Sequence, residues 1–303
     1  MKQFLTFAAL IALTSSRLLS QAQITAVVNS ASFAPGLPFG GALATVFLSG
    51  LAGVQPGTYV AASSSPLPGQ LAGFQVVVNG SYAPILAVVV TSSGGVTYGQ
   101  VNFQVPLERN VSEFAPQAGS YGGNLQVCVS GCLQMGLQMA PLPKPFEGGF
   151  FADANGYAVA QHASDYSRVT LQNPAHPGET IIAYADNFYT VWPPPPIGIP
   201  APAQPLLQYI PGSILGLEGP PGNLYLQPLP AYVCNPIDMG QCGYPPSTPP
   251  LQTTFLGLAP GLVGVEQINF VVPASQRPGT YPLFFDTGGQ TGALSASALL
   301  PVG

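Results

Sequence analysis

Few side chains in this 303-residue sequence are equipped for chemistry. His162 lies between Asp153 and Asp165, His176 follows, and Glu179 and Asp186 complete the local set of carboxylates. A histidine flanked by carboxylates suits proton transfer or metal ligation. The surrounding residues favour plainer roles. Asp153 flanks an Asn155-Gly156 turn, His162 and Asp165 fall at a strand end, and no second ligand group follows at a recognisable spacing. His176 precedes Pro177 in a loop. Asp153-Ala-Asn-Gly begins like a calcium loop, but its twelfth position is Ser164 rather than glutamate. Gly-x-Ser-x-Gly, His-Glu-x-x-His and phosphate-binding glycine motifs are all missing from the sequence. The expectation is therefore a non-enzymatic chain with no catalytic residue, no metal and no cofactor. The alternative is an extracellular hydrolase of polysaccharide or peptide acting through two of Asp153, Asp165, Glu179 and Asp186. It needs a carboxylate pair roughly 5–10 Å apart in a cleft.

The four cysteines form two local pairs, Cys128 with Cys132 and Cys234 with Cys242. In an exported chain such pairs read as two disulfides, whereas metal binding more often shows two-residue spacing with histidine help. Val129-Ser130-Gly131 suits a three-residue hairpin loop that sets Cys128 opposite Cys132. Loops this short release little chain entropy when closed, so the expected effect is to pin local geometry. Trp192, the only tryptophan, lies near Tyr189 and a run of prolines. Together they offer a candidate aromatic recognition surface for sugar or peptide, against the plainer reading of a tryptophan packed under its own loop.

The elements that position these residues are organised around a heptapeptide that occurs twice, as Gln100-Val-Asn-Phe-Gln-Val-Pro106 and Gln267-Ile-Asn-Phe-Val-Val-Pro273. Apolar residues alternate in both copies, the period of a strand with one buried face, and Pro106 and Pro273 end the run by withholding a ladder donor. Phe103 and Phe270 are then core residues. Asn102 and Asn269 point the other way, and their amides are expected to satisfy backbone groups of a neighbouring loop.

Charged residues make up 6% of the chain, against 47% hydrophobic residues, with 36 glycines and 35 prolines. Disorder goes with the reverse balance, and many short strands separated by turns leave this signature. Residues 1–22 read as a secretory signal: Lys2, an apolar run from Phe4 to Leu13, and Ser20-Gln21-Ala22 as the cleavage pattern. After it no stretch of 18 apolar residues predicts a transmembrane helix. The remaining basic residues, Arg109, Lys144, Arg168 and Arg277, are scattered, which argues against nucleic acid as a partner. The expected order is a first β-sandwich repeat at 23–141, a connecting hairpin at 142–172, and a second repeat at 173–303. The second repeat carries a proline-rich insertion at 190–250, with 17 of the 35 prolines.

Asn29-Ser-Ala-Ser-Phe-Ala-Pro-Gly36, Val76-Val-Val-Asn-Gly80 with Ala83-Pro84, the two heptapeptides, Asn173-Pro-Ala-His-Pro-Gly178 and Gly257-Leu-Ala-Pro-Gly261 occur in an order that resembles the Solibacter-type uncharacterised C-terminal domain family. The resemblance spans nearly the whole chain after the signal. It implies a secreted all-β protein of two tandem immunoglobulin-like sandwiches, similar to the IPT/TIG class, with no established catalytic activity. Members often carry the unit behind other extracellular modules, and here only a signal is expected in front of it. Asp186-Asn187-Phe188 departs from the pattern where a Gly-Leu-Gly-like turn is usual. The expected role is extracellular binding, adhesion or surface assembly, at or beyond the cell surface, with a glycan or cell-surface protein as partner. A passive spacer is the other non-catalytic reading.

Overall fold

The computed structural model describes residues 22–107, 125–129, 132–133, 148–188, 194–208, 223–226, 233–234, 242–243, 250–286 and 298–303. The chain is all-β: the described residues form antiparallel sheets and no helix, an arrangement consistent with β-sandwich packing. No helix among them is long and apolar enough to cross a membrane.

The first sheet is built from β1 (Gln23–Asn29), β2 (Leu43–Ser49), β3 (Tyr59–Ala61), β6 (Ile85–Ser93) and β7 (Val96–Gln104), in the order β1-β2-β7-β6-β3. Across from it lie β4 (Phe74–Val78), β5 (Ser81–Tyr82), β8 (Leu125–Val129) and β9 (Cys132–Leu133), in the order β5-β4-β8-β9. Alternation in each strand supplies a single apolar core. Val46, Leu48, Val88, Val101 and Phe103 of one sheet pack in one cluster with Phe74, Val76 and Val127 of the other. Asn79 and Gly80 take φ of 48° and 81°, the doubly positive turn that joins β4 to β5. Strand β5 ends before Pro84, which lacks an amide donor, and β6 begins at Ile85 in the other sheet.

The second half is likewise built of antiparallel strands. One sheet contains β10 (Gly149–Phe150), β11 (Ala160–His162), β12 (Thr180–Asp186), β16 (Thr253–Leu258) and β17 (Glu266–Val271), in the order β10-β12-β17-β16 with β11 also on β12. A second has β13 (Asn223–Leu226), β18 (Gly279–Asp286) and β19 (Ala298–Val302), in the order β13-β18-β19. A short ladder joins β14 (Val233–Cys234) to β15 (Cys242–Gly243). Ile181, Ala183, Ile268 and Phe270 share a second core cluster with Leu283, Ala298 and Leu300. The expected connecting hairpin contributes β10 and β11 to the sheet around β12. The proline-rich stretch, expected as an excursion, supplies β13 as partner to β18, and its Ala201 and Gln208 bridge to Pro260 and Gly257.

The two heptapeptides occupy equivalent positions. Val101 and Phe103 of β7 face Val46 and Ala44 of β2, just as Ile268 and Phe270 of β17 face Ala183 and Ile181 of β12. On the opposite edge both strands meet a register irregularity at the same place. It falls between the partners of Phe103 and Asn102 on β6, and between those of Phe270 and Asn269 on β16. A bulge bends its strand and increases local twist, so sharing one at matched positions means that the two sheets also share a local shape.

Candidate functional site

Both histidines of the chain converge on one carboxylate. His162 ends β11 and pairs with Ile181 of β12, which brings its ring beside the residues leading into β12. Those residues are His176-Pro177-Gly178-Glu179, closed by a hydrogen bond from the Glu179 amide to the His176 carbonyl at 3.2 Å, with Gly178 at φ 87°. Proline second and glycine third, with positive φ at the third, make this a type II turn, which sets its first and fourth side chains next to each other. The turn is anchored to the far side of the sheet, because Gly178 donates to Val272 and Val272 donates to Glu179.

The resulting geometry is compact. His162 Nδ1 lies 3.0 Å from both Glu179 oxygens, and His176 Nδ1 lies 3.6 Å from Oε1. One ligand atom from each residue falls within a 4.8 Å group. The rings are tilted by 42° at a centroid distance of 6.0 Å. His162 is 5% exposed, Glu179 22% and His176 61%, so the cluster is sealed at one end and open to solvent at the other. The His176 amide also donates to Glu179 Oε1.

A second polar cluster is buried where strand ends from the two halves meet. Asp186, at the end of β12, has no exposed surface. Its Oδ2 accepts from the Asn29 side-chain amide at 2.8 Å and its Oδ1 from the Leu43 N–H at 3.0 Å. Asn29 is equally buried, and its Oδ1 accepts from the amides of Ala31 and Ser32 and from the Ser32 hydroxyl. The neighbouring Asn187 accepts from Phe39 N–H, while both Glu266 oxygens accept from Phe188 N–H. Burial pushes the Asp186 carboxyl well above its ordinary 3.8. The nearby Glu266 charge adds to the rise, and the Leu43 amide and the Asn29 side chain oppose it. Backbone approaches closely here: a Cβ on Gly149 would stand 2.5 Å from Ser32 Cβ. Gln104 extends the contact, accepting from Gly198 N–H at 2.7 Å and donating to the Gly41 carbonyl at 2.8 Å.

The other carboxylates serve turns. Asp153 Oδ1 accepts from the amides of Asn155 and Tyr157, and its Oδ2 lies 3.4 Å from Arg168. Asp165 accepts from Ser167 N–H at 2.9 Å, and that bond, followed by the Ser167 hydroxyl, holds its carboxyl below 3.8. Asp153 and Asp165 are therefore not members of the histidine cluster, whose acid is Glu179. Asn102 and Asn269 differ from expectation in their partners. Asn102 Oδ1 accepts from Gln100 Nε2 at 3.0 Å and from the Thr45 hydroxyl at 3.1 Å, and Asn269 Oδ1 accepts from Gln267 Nε2 at 2.9 Å. The Gln-x-Asn pair clasps itself along the outer face of the strand in both copies instead of reaching into a loop.

Cys128 and Cys132 are opposite each other in the β8–β9 ladder, as are Cys234 and Cys242 in β14–β15. Trp192 and Tyr189 lie outside the described residues. No protein-family model, curated protein or solved structure matches the chain.

Proposed function

We propose that this chain is a secreted, non-catalytic module of two tandem immunoglobulin-like sandwiches, related to the Solibacter-type family, that acts in extracellular binding, adhesion or surface assembly. The observation that carries this reading is where the carboxylates go. A glycosidase needs two carboxyl groups facing one space. Here Asp186 is sealed between strand ends, Asp153 and Asp165 each cap the turn that follows them, and Glu179 is held by two histidines. The surface instead carries large aromatic side chains, with Tyr59 70%, Tyr82 63% and Phe33 62% exposed, and exposed tyrosines make effective contact residues because their rings are rigid and amphipathic. The matched strands and matched bulges of β7 and β17 support the tandem arrangement.

A screen of the purified chain against glycans and cell-envelope fractions tests the proposal. Saturable binding is expected, weakened about tenfold or more by Tyr59→Ala or Tyr82→Ala if either ring is an anchor. Turnover of a polysaccharide or peptide with no binding in the screen would overturn it, and silence in both assays would favour a passive spacer.

The same reading makes Cys128–Cys132 and Cys234–Cys242 disulfides, supported by their facing positions in the two ladders. Peptide mapping of the non-reduced secreted protein is expected to return those two local cross-links. Free thiols or crossed pairs would sink the assignment.

A further inference from the structure

We infer that His162, His176 and Glu179 form a binding site for a divalent transition cation of the zinc class. The first ground is economy of residues. The chain has two histidines among 303 residues, and both stand against the same glutamate. One is buried on a strand and the other is presented by a proline-glycine turn, so the convergence requires two separate elements to be placed for it.

The second ground is the surroundings of the His162 ring. Its Nε2 faces the Asn173 carbonyl at 3.4 Å and its Nδ1 faces only the two Glu179 oxygens. Both neighbours are acceptors. Nδ1 stands between the ring and the carboxylate, where a cation can bond both that nitrogen and a Glu179 oxygen while Nε2 stays against the Asn173 carbonyl. Metal-bound histidines are almost always oriented by a carboxylate, a backbone carbonyl or a water on the far nitrogen, and the Asn173 carbonyl takes that place here.

The distances agree. Tetrahedral zinc with bonds of about 2.1 Å holds its donors roughly 3.4 Å apart. Two of the separations here are 3.0 and 3.6 Å, and the whole donor set lies within 4.8 Å, so rotation of the exposed His176 ring is enough to close the site. Two imidazole nitrogens and one carboxylate suit zinc, cobalt, nickel or copper, whereas calcium and magnesium require oxygen donors in greater number. Three protein donors leave a position on the open side for water or for a donor group of a bound partner. A cation there ties β11 to the 176–179 turn and, through the bonds between that turn and Val272, to the end of the repeated strand.

The experiment uses the untagged full-length secreted chain, with zinc added alone and followed by isothermal titration and by metal analysis after dialysis. One zinc per chain is expected, with magnesium and calcium producing no heat, and cobalt giving the intense visible bands of a four-coordinate nitrogen-ligated site. His176→Ala changes an exposed ring and should leave folding intact while weakening zinc by at least about 100-fold, more than loss of a second-shell partner usually costs. Glu179→Gln should do the same, although its amide oxygen can still accept from the His176 N–H. Zinc uptake that survives His176→Ala overturns the inference. So does a wild-type chain that takes up no zinc, which would leave the cluster a plain histidine–carboxylate pair.

Discussion

Asp186→Ala is expected to destabilise the protein by about 2–6 kcal/mol, since it strands the Asn29 side-chain amide and the Leu43 N–H without their acceptor, and each buried orphan costs about 1–3 kcal/mol. Asn29 is itself the anchor of the Asn29–Ser32 turn, so the loss propagates to a segment whose backbone lies directly against Gly149. Asp186→Asn is milder, because one side-chain oxygen remains to accept while the new amide meets a donor. It also isolates the effect of charge. In the unfolded chain the Asp186 carboxyl gives up its proton near 3.8, whereas burial holds the proton to higher pH in the native state. Between those two points the native state binds more protons than the unfolded state, and stability falls as pH rises. The contribution is therefore fully present below 3.8 and is lost as pH climbs through the raised value. Denaturant unfolding from pH 4 upward should show this decline in the wild type and a flatter profile in Asp186→Asn. An Asp186→Ala variant within 1 kcal/mol of wild type would show that the buried seam contributes no stability.

The core strands carrying the heptapeptides were legible because their signals are local. Val101, Phe103 and Val105 alternate with polar neighbours, and a strand with that pattern has only one way to face a core. Asn79-Gly80 announced its own turn, since few residues adopt two successive positive φ values. The polar seam was not legible. Asn29 and Asp186 are 157 residues apart, and a strand-ending asparagine or aspartate reads equally well as a solvated turn cap until the partner strand is known to end at the same place. The histidine cluster lies between these cases. His176-Pro-Gly-Glu179 carries a type II turn signature that brings a histidine and a glutamate together, and that much could be read from the sequence. What the sequence could not show is that β11 pairs with β12 in the register that delivers His162 to the same glutamate. Asp153 and Asp165, nearer to His162 in sequence, take the plainer turn roles expected of them, while the carboxylate that reaches the ring comes from across the strand pair.

Phe103→Ala and Phe270→Ala are each expected to cost about 3–5 kcal/mol, the range for emptying a closed aromatic site. Both rings are fully buried, and each sits on the central strand of its sheet, where neighbours on both sides limit collapse into the cavity. Phe103 packs with Phe74, Val76 and Val127, while Phe270 packs with Ile181, Leu283 and Leu300, and the two clusters share no residue. The double variant should therefore lose the sum of the two single losses to within about 0.5 kcal/mol. Hydrogen exchange should show each single variant weakening chiefly the amides of its own sheets, with a smaller effect reaching the other half through the Asp186 seam and the contacts of Gly198 with Gln104 and Leu67. Asn102→Ala and Asn269→Ala provide the contrast, because each removes a clasp on the outer face and should cost only about 0.5–1.5 kcal/mol. If the asparagine variants proved as costly as the phenylalanine variants, the heptapeptide would owe its duplication to its outward face. The expected larger phenylalanine effect would place its weight on the buried side, as an interior strand of two core clusters.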